Sequence, residues 1–103
     1  MAKNTTNERM IKFMENKIKE FSEKLEENIG HSIKYRENGT EDFTNDILVD
    51  FSVTAGNTII VEMENTSITS SNVNDIQFTE YDERVDIWLY CDNGANRFNL
   101  FFE

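Results

Sequence analysis

The chain has no proline, and only one cysteine, one histidine and one tryptophan among its 103 positions. A single thiol excludes an internal disulfide. One Cys and one His cannot build a structural zinc site without recruiting several carboxylates. No apolar run approaches the roughly twenty residues of a membrane-spanning helix, and the opening MAKNTTNERM lacks the apolar stretch of a secretion signal. The expectation is a soluble intracellular protein. Signatures of chemistry are missing too. There is no Gly-x-Ser-x-Gly elbow, no Gly-x-Gly or Walker pattern, and no D-x-D-x-D-G calcium loop. Carboxylate pairs such as Glu62/Glu64 and Asp82/Asp86 are what chance supplies in so acidic a region. Cys91 reads as a structural thiol and His31 as a helix C-terminal cation. The sequence therefore predicts no enzyme, no cofactor and no metal.

Positive charge is scarce, and unevenly so. The net charge is −10. Residues 1–36 hold eight Lys/Arg against six Glu, a balance of +2, whereas residues 37–103 hold fourteen Asp/Glu against only Arg84 and Arg97, a balance of −12. A surface of that sign repels a phosphate backbone and an anionic membrane, so neither direct nucleic-acid binding nor membrane binding is expected.

Hydrophobic residues make up 38% of the chain and aromatics 12%, including eight Phe, enough for a packed core. One domain over residues 1–103 is expected, burying roughly two-thirds of its unfolded surface. Met10, Ile11, Met14, Ile18, Phe21, Leu25 and Ile29 fall within an arc of about 100° on a helical wheel, with Phe13 at its edge. Glu8–Lys12, Glu15–Lys19 and Glu20–Lys24 lie opposite as i,i+4 pairs. Thr5-Thr6-Asn7-Glu8 has the form of a capping box, and Gly30 supplies a left-handed stop. These features predict an amphipathic helix over residues 6–29.

Alternation then predicts strands at 32–36, 46–54, 58–64, 75–81, 84–91 and 97–102, with turns at Asn38-Gly39, Ala55-Gly56-Asn57, Asp82-Glu83 and Asn93-Gly94. The polar stretch 65–74 reads as a long loop. The sum is an α+β fold: one long N-terminal amphipathic helix packed on an antiparallel sheet of five to six strands, a meander of hairpins. Unbroken alternation puts Ile47, Val49, Phe51 and Val53 inside with Ile59, Val61, Met63, Val85, Ile87, Leu89, Cys91, Phe98, Leu100 and Phe102. Leu48, Asp50, Ile60, Glu62, Glu64, Asp86, Trp88, Tyr90, Asp92 and Phe101 then share one outer face.

Trp and Tyr in register on an acidic face point to a partner-binding surface. Carboxylates at i and i+2 on a strand stand about 6.6–6.8 Å apart, close to the ~6.8 Å rise of two steps along one DNA strand. Rows such as Glu62/Glu64 and Glu80/Asp82 therefore suit a groove made for a nucleic-acid backbone. The candidate partner-binding residues are Asp50, Glu62, Glu64, Glu80, Asp82, Asp86, Trp88, Tyr90, Asp92 and Phe101. The small size, the −12 segment, the missing catalytic motifs and the helix-plus-hairpins layout resemble the small acidic anti-defence proteins of phages and mobile elements, anti-CRISPR inhibitors and anti-restriction DNA mimics. That resemblance implies a non-enzymatic inhibitor in the bacterial cytoplasm, seated on the basic nucleic-acid-binding surface of a nuclease such as a Cas effector. The alternatives are an immunity protein that neutralises a toxin and an interaction module that forms a homodimer or larger homo-oligomer.

Overall fold

The structure is a computed structural model. It describes the backbone of residues 2–92 and 94–101 and the side chains of residues 14–92 and 94–101. A helix, α1 (Ala2–Glu26), precedes seven strands: β1 (Ser32–Arg36), β2 (Thr44–Thr54), β3 (Thr58–Met63), β4 (Ser67–Ser70), β5 (Asp75–Glu80), β6 (Arg84–Cys91) and β7 (Gly94–Phe101). They form one antiparallel sheet in the order β4-β3-β2-β1-β7-β6-β5.

This corrects the expected architecture. The molecule is mainly a seven-stranded sheet with a single helix, and among the described side chains that helix packs on the core from Met14 to Leu25. The polar stretch taken for a loop contains β4, in which Ile68 and Ser70 are buried beside β3 while Ser67 and Thr69 face water. Polar alternation over four residues carries too little apolar signal to stand out from loop composition. Nor is the sheet a meander: β7 inserts between β1 and β6, so that Ile33 pairs with Leu100 and Tyr35 with Phe98. Hairpins are legible from local turns, whereas this junction joins distant parts of the chain.

A second correction lies in β2. Leu48 pairs with Met63 but Asp50 pairs with Glu62, which leaves Val49 as an extra residue, a β-bulge. The bulge reverses the faces. Leu48 is fully buried, Val49 is 47% exposed, and Phe51 resumes packing against the core. Residues 44–47 of β2 pair with β1 and residues 48–54 with β3, so one strand serves two ladders across the bulge. Bulges bend and twist their strands. Here the sheet curls until Asn96 of β7 donates through Nδ2 to Ser70 Oγ of β4 at 2.8 Å. The amide of Val73 likewise reaches the Asn57 carbonyl at 2.9 Å. The two half-sheets thus face each other across the core, and their outward surfaces point in opposite directions.

The core lies between the halves: Ile33, Leu48, Ile59, Val61, Ile76, Val85, Ile87, Leu89, Phe98 and Leu100 are all essentially inaccessible. The helix contributes Phe21 and Leu25, both fully buried, and contacts β5 and β2. The Phe21 ring meets Phe51 edge-on, with centroids 6.2 Å apart and an interplanar angle of 83°. Burial of two such side chains contributes roughly 1.5–3 kcal/mol each. Lys24 ties the same turn to the sheet by an ion pair to Glu80 at 3.0 Å. α1 begins before Thr5, so the Thr5–Glu8 sequence lies inside the helix, and its side chains are outside the described residues. The same holds for Met10, Ile11 and Phe13, and for Phe102 at the other end. The helix ends at Glu26, and Ile29 is 40% exposed beyond it. Asn28 Nδ2 donates to the Lys24 carbonyl at 2.9 Å, closing the last turn, before Gly30 turns the chain at φ 88°.

One buried acid holds the bend in place. Asp46 accepts three hydrogen bonds, from the Ile47 amide at 2.8 Å and from the amide and Nδ2 of Asn65 at 3.1 Å each. The β3–β4 turn is thereby fastened to the start of β2, and a buried carboxylate is solvated by N–H groups in place of water.

Candidate functional site

The ten candidate residues do not share one surface. Because the half-sheets face each other, Asp50, Glu62 and Glu64 lie outward on the β2–β3 half. Asp86, Trp88, Tyr90 and Phe101 lie outward on the β1–β7–β6 half, on the opposite side of the molecule. Glu80 and Asp82 sit at the β5–β6 end, where Lys24 already pairs with Glu80. Asp92 is at the β6–β7 end, exposed, and accepts from Asn72 Nδ2 at 2.8 Å. Leu48, placed outside by unbroken alternation, is inside because of the bulge at Val49.

The face around Trp88 has the reverse of the expected charge. The outward positions of β1, β6 and β7 carry Lys34, Arg36, Arg84 and Arg97 against a single acid, Asp86. Asp86 is not a rim carboxylate but a fully buried one. Arg84 Nε donates to its Oδ1 at 2.9 Å, and Arg97 donates through a terminal guanidinium nitrogen to its Oδ2. An unpaired carboxylate at that depth would cost several kcal/mol, so the arginines are required for it to be there. The same bond, reinforced by Coulombic attraction to Asp86, pushes the Arg84 pKa above its usual value.

Trp88 is accordingly not a free aromatic anchor. The Arg97 guanidinium lies 4.4 Å from the Trp88 ring centroid and 5.2 Å from that of Phe43. Arg36 lies 5.3 Å from Phe43 and 6.0 Å from Trp88. Trp88 and Tyr90 stack with centroids 6.3 Å apart at 12°, and Lys34 lies 5.7 Å from the Phe101 ring. Cation–π contacts contribute about 0.5–2 kcal/mol according to burial. Two buried polar atoms, Arg97 Nε and Asn99 Oδ1, have no partner within this cluster.

Sequence reasoning missed Phe43 and the cation cluster because it depends on two pairings. Arg36 meets Arg97 only through the distant β1–β7 junction. Trp88 meets Arg97 because Gly94 pairs with Cys91, whereas an Asn93-Gly94 tip would pair Trp88 with Asn99, two residues away. Gly94 has φ 125°, and a Cβ there would collide with the Asn38 side chain. Part of the signal was available: Arg97 and Trp88 alternate onto the same side of their strands.

The β2–β3–β4 half presents the acidic surface. No Lys or Arg occurs in the sequence between Arg36 and Arg84. Outward positions here are Val49, Asp50, Ser52, Ile60, Glu62, Ser67 and Thr69. Asp50 and Glu62 are direct cross-strand partners, both exposed, and neither has an ion-pair partner among the described residues. Like charges placed opposite each other destabilise a strand pair.

Among the described residues no group of three or more His, Cys, Asp or Glu is placed to hold a metal ion. Two open clefts, of about 100 Å³ beside Arg36, Asp42 and Thr44 and about 200 Å³ beside Cys91, Asn96 and Thr69, are smaller than ordinary ligand pockets. Cys91 is half-buried and donates to the Gly94 carbonyl at 3.3 Å. Among the described residues no helix is long and apolar enough to cross a membrane. No family model matches the chain, nor does any curated protein or solved structure.

Proposed function

We propose that the protein is a non-enzymatic inhibitor that binds a basic, nucleic-acid-binding surface of a bacterial defence nuclease by anti-CRISPR-like mimicry, in the cytoplasm of the host cell. The observation that carries this reading is the β2–β3–β4 face, where Asp50 and Glu62 stand directly opposite each other on strands that contain no Lys or Arg. A basic partner relieves their mutual repulsion, and exposed Val49 beside half-buried Ile60 supplies apolar contact at the same place. The seat is therefore the β2–β3 hairpin; Trp88 belongs to the opposite surface.

The test is cleavage by purified defence nucleases, with nucleic acid titrated as competitor. The wild-type chain should inhibit and be displaced by nucleic acid. Asp50→Lys with Glu62→Lys should lose inhibition, and Trp88→Phe should keep it. Association should slow as salt rises, because the attraction is screened. Equal inhibition by the charge-reversed chain, or no inhibition by the wild type, refutes the reading.

A further inference from the structure

The two outward surfaces match each other. Arg36 and Arg97 are direct cross-strand partners on β1 and β7; Asp50 and Glu62 are direct cross-strand partners on β2 and β3. Cross-strand partners stand with Cβ atoms about 4.5–5.5 Å apart, so the chain carries two like-charge pairs of similar spacing and opposite sign. We propose that a second copy of this chain docks its Asp50–Glu62 pair on the Arg36–Arg97 pair of the first, joining the copies head to tail.

Each pair is unfavourable in the isolated molecule, and contact between them satisfies both. Arg97 shares its charge with Asp86, but Arg36 has no carboxylate partner among the described residues, and exposed Lys34 extends the positive row. Apolar groups accompany the charges on both sides: Val49 and Ile60 flank the acids, and Phe43 and Trp88 flank the arginines. Because the surfaces point in opposite directions, one copy cannot use both on the same neighbour. The contact is heterologous and propagates unless a rotation closes it into a ring. The net charge of −10 per copy opposes approach at low salt. Screening over about 8 Å at physiological ionic strength weakens that long-range repulsion more than it weakens pairs in contact. Assembly should therefore be strongest at intermediate salt, unlike binding to a basic partner, which only weakens as salt rises.

Sedimentation velocity of the purified chain alone, over a concentration series at low, physiological and molar salt, tests this without any partner. The wild type should sediment faster with concentration at physiological salt, and less so at both extremes. Asp50→Lys with Glu62→Lys should stay monomeric. Lys34→Glu with Arg36→Glu should also stay monomeric, and circular dichroism checks that both remain folded. An equimolar mixture of the two variants should associate again, because the native acid pair of one meets the native arginine row of the other and the introduced lysines meet the introduced glutamates. A mixture of either variant with the wild type should shorten the wild-type assemblies, since each variant keeps one working surface. A wild type that is monomeric throughout, a closed dimer that does not grow, or assembly that survives the acid reversal overturns the proposal. None of these results depends on whether a nuclease is inhibited.

Discussion

Replacing Asp86 by Asn removes one charge and almost no volume, and the structure sets the size of the effect. Asp86 is fully buried beneath two arginines whose side chains retain 38% and 21% of their exposure. Removing one partner of a fully buried pair costs about 3–5 kcal/mol, most of it from the charge left unpaired. Here the surviving arginines keep contact with water, and Asn Oδ1 still accepts one N–H, so the expected loss is smaller, about 2–3 kcal/mol. For a domain of this size that lowers Tm by roughly 8–20 °C. Urea unfolding followed by the fluorescence of Trp88, the only tryptophan, should give a lower midpoint with an unchanged slope. Replacing Arg84, Asp86 and Arg97 together by Met, Leu and Met should be close to neutral, since apolar groups of similar volume substitute well for buried ion pairs. The pH dependence has a definite sign. A raised Arg84 pKa adds stability that is complete below the unfolded value and is lost only as pH climbs through the folded one, so this bond should hold across the neutral and mildly alkaline range. An Asp86→Asn midpoint equal to wild type would refute the view that the buried carboxylate organises this face.

The bulge is tested by a neighbouring pair: Leu48→Ala should cost about 2–5 kcal/mol and Val49→Ala less than about 0.5 kcal/mol in urea unfolding, the reverse of what unbroken alternation predicts. Gly94→Ala should cost on the order of 1–3 kcal/mol, and more than Gly56→Ala, because only at Gly94 does the added methyl meet a neighbour. Phe21→Ala should cost about 3–5 kcal/mol by loss of core, whereas Lys24→Ala should cost less than about 1 kcal/mol because its Glu80 partner is exposed. Thermal and urea unfolding of the two helix variants decides whether packing or the ion pair attaches α1.

Short-range pattern carried much of the fold. Val85, Ile87 and Leu89 read as a buried row and are one, as are Ile59 and Val61, because the side chains of an uninterrupted strand alternate without exception. Pattern failed wherever one residue shifted the register. Val49 alone reversed the faces of β2 midway, and nothing in DILVDFSV marks the point, since both registers offer an apolar row. Ser67–Ser70 escaped notice because a strand half-filled with Ser and Thr looks like a loop. The candidate site suffered most, for charge counted along the chain is not charge in space. The acidic segment contains Arg84 and Arg97, and the distant pairing of β1 adds Lys34 and Arg36 beside them. The surface expected to be most negative is therefore the most positive one, while Asp50 and Glu62 face the other way.

The insertion of β7 between β1 and β6 also governs how the chain comes to be folded during synthesis. The first four strands and the β5–β6 hairpin emerge from the ribosome as separate pieces, neither of which can complete the middle of the sheet. Only when β7 is released can Leu100 meet Ile33 and join them. Folding of the sheet should therefore wait for β7 and proceed slowly, as contacts between distant residues require. Until then, the open edges of β1 and β6 are what chaperones and proteases would encounter.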